Sequence, residues 1–169
     1  MDPYLYALIS TFVPEHFSLL TELAGGLLIK EIKDGKSYAN GVLHSFNDEP
    51  AVICGRHPNR FWYQNGKLYG DNDRPSIVLS GIKLWYRNGL LHRDNDLPAV
   101  IDSFGTREWF QNGKRHRDNN LPAVIDADNN QSWYQNGIHH RDNGPAIIWS
   151  SGEREYWKNG QQYSSCVIL

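Results

Sequence analysis

Cys166 is the residue whose type and position most directly predict chemistry. The chain ends in Cys166-Val167-Ile168-Leu169, a cysteine followed by two aliphatic residues and a leucine. This pattern marks a thiol for geranylgeranylation, after which the last three residues are removed. No polybasic run or second cysteine accompanies the motif, and a single lipid chain anchors a protein weakly. The alternative is that the tail, residues 164–169, packs on the preceding structure as an apolar end cap.

Two His-Arg-Asp triplets are the next candidates, because the same triplet occurs in the catalytic loop of protein kinases. They are His92-Arg93-Asp94 and His116-Arg117-Asp118. The sequence has neither the Gly-rich loop nor the metal-binding aspartate that a kinase also needs, and a catalytic triplet would not recur along a chain. We therefore expect a structural role, in which Arg and Asp pair between neighbouring copies and His packs beside aromatic residues.

Metal-binding and nucleophilic sites are not predicted. The acidic runs Asp71-Asn72-Asp73 and Asp94-Asn95-Asp96 lack the glycine and the downstream glutamate of an EF-hand loop. Apart from the adjacent His139 and His140, the histidines lie about one per 24 residues, which is not metal-ligand spacing. No Ser-His-Asp arrangement, phosphate-binding loop or acid pair stands out. The chain is therefore predicted to be non-enzymatic, with no cofactor and no metal.

The composition is typical of a single globular domain rich in turns. The chain has 169 residues, with 17 basic and 19 acidic side chains, and a net charge of −2 argues against nucleic-acid binding. Six Trp and nine Tyr supply much surface to bury. The two cysteines, Cys54 and Cys166, exclude a disulfide framework. The first residues lack a basic region and no apolar run could span a bilayer, so neither secretion nor membrane insertion is predicted.

An internal repeat dominates the sequence. Asn-Gly recurs six times at intervals of 23 to 25 residues, and a proline follows each of the first five at a near-constant offset. Five units and a partial sixth, each of about 24 residues, fill residues 31–163. The dipeptides are Asn40-Gly41, Asn65-Gly66, Asn88-Gly89, Asn112-Gly113, Asn136-Gly137 and Asn159-Gly160.

Each unit has the pattern of a short antiparallel meander. Asn-Gly between strand-like runs predicts a two-residue hairpin turn, because both residues accept positive φ. The Asp-Asn-x-x-Pro stretch predicts a second turn, and Pro-Ala-Val-Ile a short apolar strand. One such unit cannot bury its own apolar face, so the units must stack along one axis. The sequence therefore predicts a mostly β fold, an elongated antiparallel β-meander.

Two adjacent aromatic rows run through the units. Neighbouring residues of a strand point to opposite faces, so the two rows lie on opposite faces of the sheet. We favour the burial of both rows in the stacking of units; alternatively, one row is a solvent-facing groove that binds a peptide or a second copy. The first row is Trp62, Trp85, Trp109, Trp133 and Tyr156, and the second is Tyr38, Tyr63, Tyr86, Phe110, Tyr134 and Trp157.

The unit resembles a divergent MORN repeat (membrane occupation and recognition nexus). The shared features are the aromatic pair, Asn-Gly, and a histidine three residues after the glycine, at His44, His92, His116 and His140. Common MORN units continue with His-Gly, whereas this chain continues with His-Arg-Asp and Pro-Ala-Val-Ile. That variant is similar to repeat arrays of large DNA viruses of amoebae and of some bacteria. The resemblance implies a scaffold or dimerisation module located in a host cell or a virion.

The N-terminal segment, residues 1–30, has a helical period instead. We predict two helices that cap the open first edge of the array, ended by Gly25-Gly26. Alternatively, the segment is a degenerate F-box, since it resembles the first part of one. The apolar positions that define the two helix faces are Leu5, Leu8, Ile9 and Phe12, then Phe17, Leu20 and Ala24.

The leading functional prediction is a non-catalytic scaffold or protein-interaction module. Self-association as a homodimer is expected, because an array that ends in a partial unit leaves an open strand edge. The first alternative is a peripheral membrane protein anchored through Cys166. The second is an F-box-like adaptor for a host ubiquitin ligase. The sequence does not identify the protein partner, and nucleic acid is not expected as one.

Overall fold

The computed structural model describes residues 19–23, 26–54, 59–71 and 74–164. Within these ranges the chain forms β-strands and turns and no helix. The strands are β1 Leu19–Leu23, β2 Gly26–Lys33, β3 Lys36–Ala39, β4 Val42–Leu43, β5 Val52–Cys54, β6 Asn59–Phe61, β7 Tyr63–Gln64, β8 Lys67–Leu68, β9 Ile77–Leu79, β10 Ile82–Leu84, β11 Tyr86–Arg87, β12 Leu90–Leu91, β13 Val100–Ile101, β14 Arg107–Glu108, β15 Phe110–Gln111, β16 Lys114–Arg115, β17 Val124–Ile125, β18 Gln131–Ser132, β19 Tyr134–Gln135, β20 Ile138–His139, β21 Ile147–Ile148, β22 Arg154–Lys158 and β23 Gln161–Tyr163.

The largest element of the described structure is one antiparallel sheet of 15 strands, here called the main sheet. Its strands follow one another in chain order, from β1 to β23, and four two-stranded hairpins (β7–β8, β11–β12, β15–β16 and β19–β20) project from it. Each complete central unit therefore adds two strands to the main sheet and one hairpin beside it. The predicted mostly β, antiparallel meander is confirmed.

The Asn-Gly pairs make the hairpin turns that the sequence predicts. At Asn112 and Gly113 the φ angles are 49° and 80°, and all six dipeptides have positive φ at both positions. This is the left-handed pair of conformations that suits a two-residue turn in a twisted ribbon. The Gly113 N–H also donates to the Leu91 carbonyl at 2.8 Å, so each hairpin is bonded to the hairpin before it.

The core lies where each strand passes from the main sheet into its hairpin. The tryptophans of the first aromatic row are buried there, with Trp85 4% and Trp133 5% exposed, whereas Tyr156 is half-buried. A fully buried small residue accepts the main-chain N–H of each of these tryptophans, as the bond from Trp109 N–H to the Ala123 carbonyl at 2.8 Å shows; the acceptor of Trp62 is Ser76. The alanines bonded in this way are Ala99, Ala123 and Ala146, and Ala51 is the buried alanine that accepts from Ser37.

The predicted N-terminal helical cap is not supported. The second helix, defined by Phe17, Leu20 and Ala24, is wrong for the part that the structure describes, because Leu19–Leu23 is a strand paired along its whole length with β2. Pairing also satisfies backbone groups that the first edge of the array would leave open.

Two predictions fall on residues outside the described ranges. They are the first helix, within residues 1–18, and the lipidation signal at Cys166. Of the F-box segment, residues 4–24, the described part is the strand Leu19–Leu23. Cys54 is a free, exposed thiol at the end of β5.

Candidate functional site

The second turn of a unit binds the buried tryptophan of the next unit. Asn95 and Asp96 both have positive φ, 60° and 53°, a conformation that Asn and Asp adopt more readily than other side chains. The turn directs the Asp96 carbonyl to Nε1 of Trp109, which donates to it at 3.0 Å. The pairs with this geometry are Trp62 with Asp48, Trp109 with Asp96, and Trp133 with Asn120.

Arg117 joins the same two units. Its guanidinium lies over the Trp109 ring, 3.8 Å from the ring centre, and its Nη1 donates to the Pro122 carbonyl at 3.2 Å. Nε and Nη2 donate to the two carboxylate oxygens of Asp96 at 2.7 and 2.8 Å. The triplet arginine therefore pairs with an aspartate of the neighbouring unit, but this is the turn residue Asp96; the triplet residue Asp94 pairs with Arg87 of its own unit.

The arginine–tryptophan contact recurs in two other units, and in a further unit a different arginine makes the bond to the preceding turn. Arg93 lies over Trp85 and Arg141 over Trp133, each 3.8 Å from the ring centre. In the unit that lacks this arginine the position is Gly70, where an added Cβ would lie 2.6 Å from the carbonyl oxygen of Arg74. Arg74 instead forms the ion pair to the turn of the preceding unit.

The histidine of each triplet forms a second bond between units. Nδ1 of His92 accepts the backbone N–H of Asn112 in the next hairpin at 3.1 Å. An accepting Nδ1 carries no proton, so the ring proton is on Nε2, which lies 3.0 Å from Asp94 Oδ1. His44, His116 and His140 accept an Asn N–H in the same way. The histidine and arginine side chains of the triplets thus connect consecutive units, while Asp94 and Asp118 hold the histidine of their own unit.

Acidification should weaken the bond at His44. Burial lowers the pKa of His44, although its hydrogen bond with Asn65 acts in the opposite direction. The unfolded chain therefore binds this proton more tightly, and the stabilising contribution falls as pH drops below the ordinary histidine value of about 6.5. Urea unfolding of the wild type and of His44→Gln, at about pH 7.5 and 5.5, measures this. We expect the wild type to lose more free energy of unfolding on acidification; an equal loss would contradict the assignment.

The second aromatic row lies on the opposite sheet face, here called the aromatic face. Tyr63, Tyr86, Phe110, Tyr134 and Trp157 are all half-buried, in contrast to the buried tryptophans. The strand partners of the first four follow the turn of the same hairpin, and their side chains lie on the same face. The partners are Leu68, Leu91, Arg115 and His139, in that order.

A polar cluster occupies the C-terminal half of the aromatic face. Arg115 Nε donates to Glu108 Oε2 at 2.7 Å, and its guanidinium lies 5.7 Å from the ring centre of Phe110 and 5.6 Å from that of Tyr134. The Tyr134 hydroxyl is 2.9 Å from His139 Nε2. The N-terminal half carries aliphatic partners instead, so the face changes from apolar to polar along the array.

Burial and the ion pair set the charge states of this cluster. Burial raises the pKa of the Tyr134 hydroxyl and lowers that of His139. Burial also disfavours the charged form of Arg115, but the hydrogen bond and charge of Glu108 outweigh it, and the pKa of Arg115 is raised. At neutral pH the aromatic face therefore presents neutral Tyr134 and His139 beside a compensated ion pair.

Comparison with known proteins adds no relative to this description. The chain matches no protein-family model, no curated protein and no solved structure. In the described ranges, no group of three or more His, Cys, Asp and Glu side chains could hold a metal ion. The same residues include no helix that is long and apolar enough to cross a membrane.

The structure separates the predicted site residues into two sets. The first aromatic row, except for the half-buried Tyr156, belongs to the core, while the second row lines the aromatic face. Sequence reasoning missed the hairpin partners of the second row, including Arg115 and His139. Their signal was available, because each lies two residues after an Asn-Gly dipeptide and must face the ring across the hairpin.

Proposed function

We propose that the protein is a non-catalytic scaffold, a divergent MORN-repeat array that binds proteins through its aromatic face. The carrying observation is a row of five aromatic rings that stay half-exposed along consecutive units. The buried row differs, because Trp109 and Trp133 have both their rings and their Nε1 groups engaged within the array. Exposed aromatic residues in a row are typical anchors of protein interfaces.

The first partner that we propose is a second copy of the chain. Two aromatic faces related by a two-fold axis would bury the same rings against each other, as isologous dimers do. The face also combines apolar positions, such as Leu68 and Leu91, with polar ones, such as Arg115 and His139. An antiparallel arrangement of two copies would therefore place the apolar half of one face against the polar half of the other. A parallel arrangement would place apolar against apolar and polar against polar.

Sedimentation velocity of the full chain over a wide concentration range tests this proposal. We expect a monomer–dimer equilibrium for the wild type and a monomer for the Tyr86→Ser/Phe110→Ser variant, because the variant loses two central rings. The matched control is Leu90→Ser/Ile138→Ser, which removes exposed apolar side chains from the other side of the hairpins. Circular dichroism confirms that each variant is folded.

Two outcomes contradict the proposal in different ways. A wild type that stays monomeric at every concentration rules out the second copy as the partner. A control variant that dissociates as fully as the aromatic variant shows that the dimer contact is not specific to the aromatic face.

A further inference from the structure

A stripe of alternating polar and aliphatic side chains, in which four of the five polar residues are basic, crosses the main sheet on the face opposite the aromatic face. The register pairs Lys83 with Val78 on one side and Ile101 on the other, and Arg107 with Ile101 and Ile125. Directly paired residues point to the same face, so the alternation is continuous. The basic stripe consists, in order, of Ile53, Arg60, Val78, Lys83, Ile101, Arg107, Ile125, Gln131, Ile148 and Arg154.

The four cations of the basic stripe are available to a ligand. All four are exposed, and the described part of the chain places no carboxylate in an ion pair with any of them. The nearest turns do contain aspartates, but Asp102 accepts the backbone N–H groups of Phe104 and Thr106. Asp126 is engaged in the same way by its own turn. Four exposed cations thus lie along one stripe of a chain whose net charge is −2.

The spacing of the stripe favours one kind of partner. Arg60, Lys83 and Arg107 are each two strands apart, which is about 9.6 Å, with an aliphatic residue halfway between them. Gln131 takes the next polar position, so Arg154 lies four strands beyond Arg107. In an α-helix, residues seven apart on one face are separated by about 10.5 Å, with positions three or four apart near the midpoint. An extended strand along the stripe repeats its same-face side chains every 6.6 Å or so and matches less well. Flexible arginine and lysine side chains accommodate the small mismatch with the helix.

We propose that the basic stripe is a docking site for an acidic amphipathic helix of a partner protein. Carboxylates at every seventh residue would pair with the cations, and aliphatic residues between them would cover the isoleucines and the valine. The partner fits by charge complementarity, since the stripe offers cations without acids. This surface is separate from the aromatic face, so its occupancy does not depend on self-association.

A designed helical peptide tests the docking site on the full chain. The probe has Glu at one position and Leu at the fourth position of each of four heptads, with a fluorescent label, and the control probe replaces each Glu with Lys. Fluorescence anisotropy should show that the Glu probe binds and that the Lys probe does not. Binding should weaken as salt is added, because exposed charge pairs are screened. Failure of the Glu probe to bind the wild type overturns the proposal.

Charge reversal locates the binding to the stripe. We expect Lys83→Glu/Arg107→Glu to weaken the Glu probe by at least about tenfold, a free-energy loss near 1.4 kcal/mol. The matched control, Lys67→Glu/Lys114→Glu, makes the same change in net charge at exposed hairpin positions on the same face, and should bind as the wild type does. An equal loss in both variants would show a non-specific charge effect and overturn the assignment. The aromatic-face variant Tyr86→Ser/Phe110→Ser should bind the probe normally.

Other polyanions are the competing occupants. A single-stranded oligouridylate and phosphatidylserine vesicles, titrated under the same conditions, carry phosphate charge without the helical spacing of acid and aliphatic groups. We expect either to bind more weakly than the Glu probe at physiological salt. Tighter, stripe-dependent binding of the oligonucleotide or the vesicles would replace the helix with that class of partner and overturn the proposal.

Discussion

Replacing Trp109 with alanine should lower the free energy of unfolding by about 3–5 kcal/mol, the range for truncating a buried aromatic side chain. The indole is 6% exposed. Its removal leaves a cavity. The Asp96 carbonyl also loses its hydrogen bond from Nε1, and the Arg117 guanidinium loses its contact with the ring. Because each unit contacts only its neighbours, the loss should divide the array at this point, and urea unfolding should show an earlier, partial transition.

Phe104→Ala is the matched control for Trp109→Ala. This side chain is also aromatic but 81% exposed, at the tip of a turn that Asp102 holds. We expect its truncation to change the free energy of unfolding by less than about 0.5 kcal/mol. Comparable losses in the two variants would show that aromatic packing at the Trp109 position is not what joins the units.

The turns and the buried row could be predicted from the sequence because their causes are local. A two-residue hairpin turn needs positive φ at both positions, which Asn and Gly adopt readily. Asn112 and Gly113 therefore predict the hairpin without any information on tertiary structure. The period of the tryptophans likewise identifies a row that must stack. The fully buried Ala123 follows from the same alternation, since it lies opposite Trp109 in the ladder.

The remaining features depend on how consecutive units stack. Asp96 is recognisable as a turn residue, but its bonds to Trp109 and Arg117 need the distance between two units. The half-exposure of Tyr86 depends on the absence of a second layer over its face, which no repeat pattern specifies. The basic stripe is present in the sequence as a cation two residues before an aromatic position, yet only the register places Ile101 between Lys83 and Arg107.

Arg117→Ala should be the most destabilising of the charged-residue substitutions, with a loss of about 2 kcal/mol. The arginine makes a bidentate bond to Asp96 and stacks on Trp109, contributions of roughly 1.5–3 and 0.5–1 kcal/mol, reduced because the Asp96 carboxylate is partly exposed. Arg117→Lys should recover less than half of the loss, since an ammonium cannot make the bidentate bond and the Pro122 bond together. Urea unfolding of the three proteins measures both values.

Two further variants separate the inter-unit bond from a general effect of charge. Arg87→Ala removes an arginine whose guanidinium is exposed and pairs with the exposed Asp94, so we expect a loss below about 1 kcal/mol. Asp96→Asn should lower the free energy of unfolding only slightly at neutral pH. An asparagine already fills this role in the next pair of units, where Asn120 Oδ1 accepts a hydrogen bond from Arg141 Nε at 2.9 Å. The hydrogen bond from Arg117 lowers the pKa of Asp96, so the wild type should lose this advantage over Asp96→Asn as pH falls below about 3.9. A severe loss in Asp96→Asn at neutral pH would instead make the charge of Asp96, rather than its bond geometry, the element that joins the units.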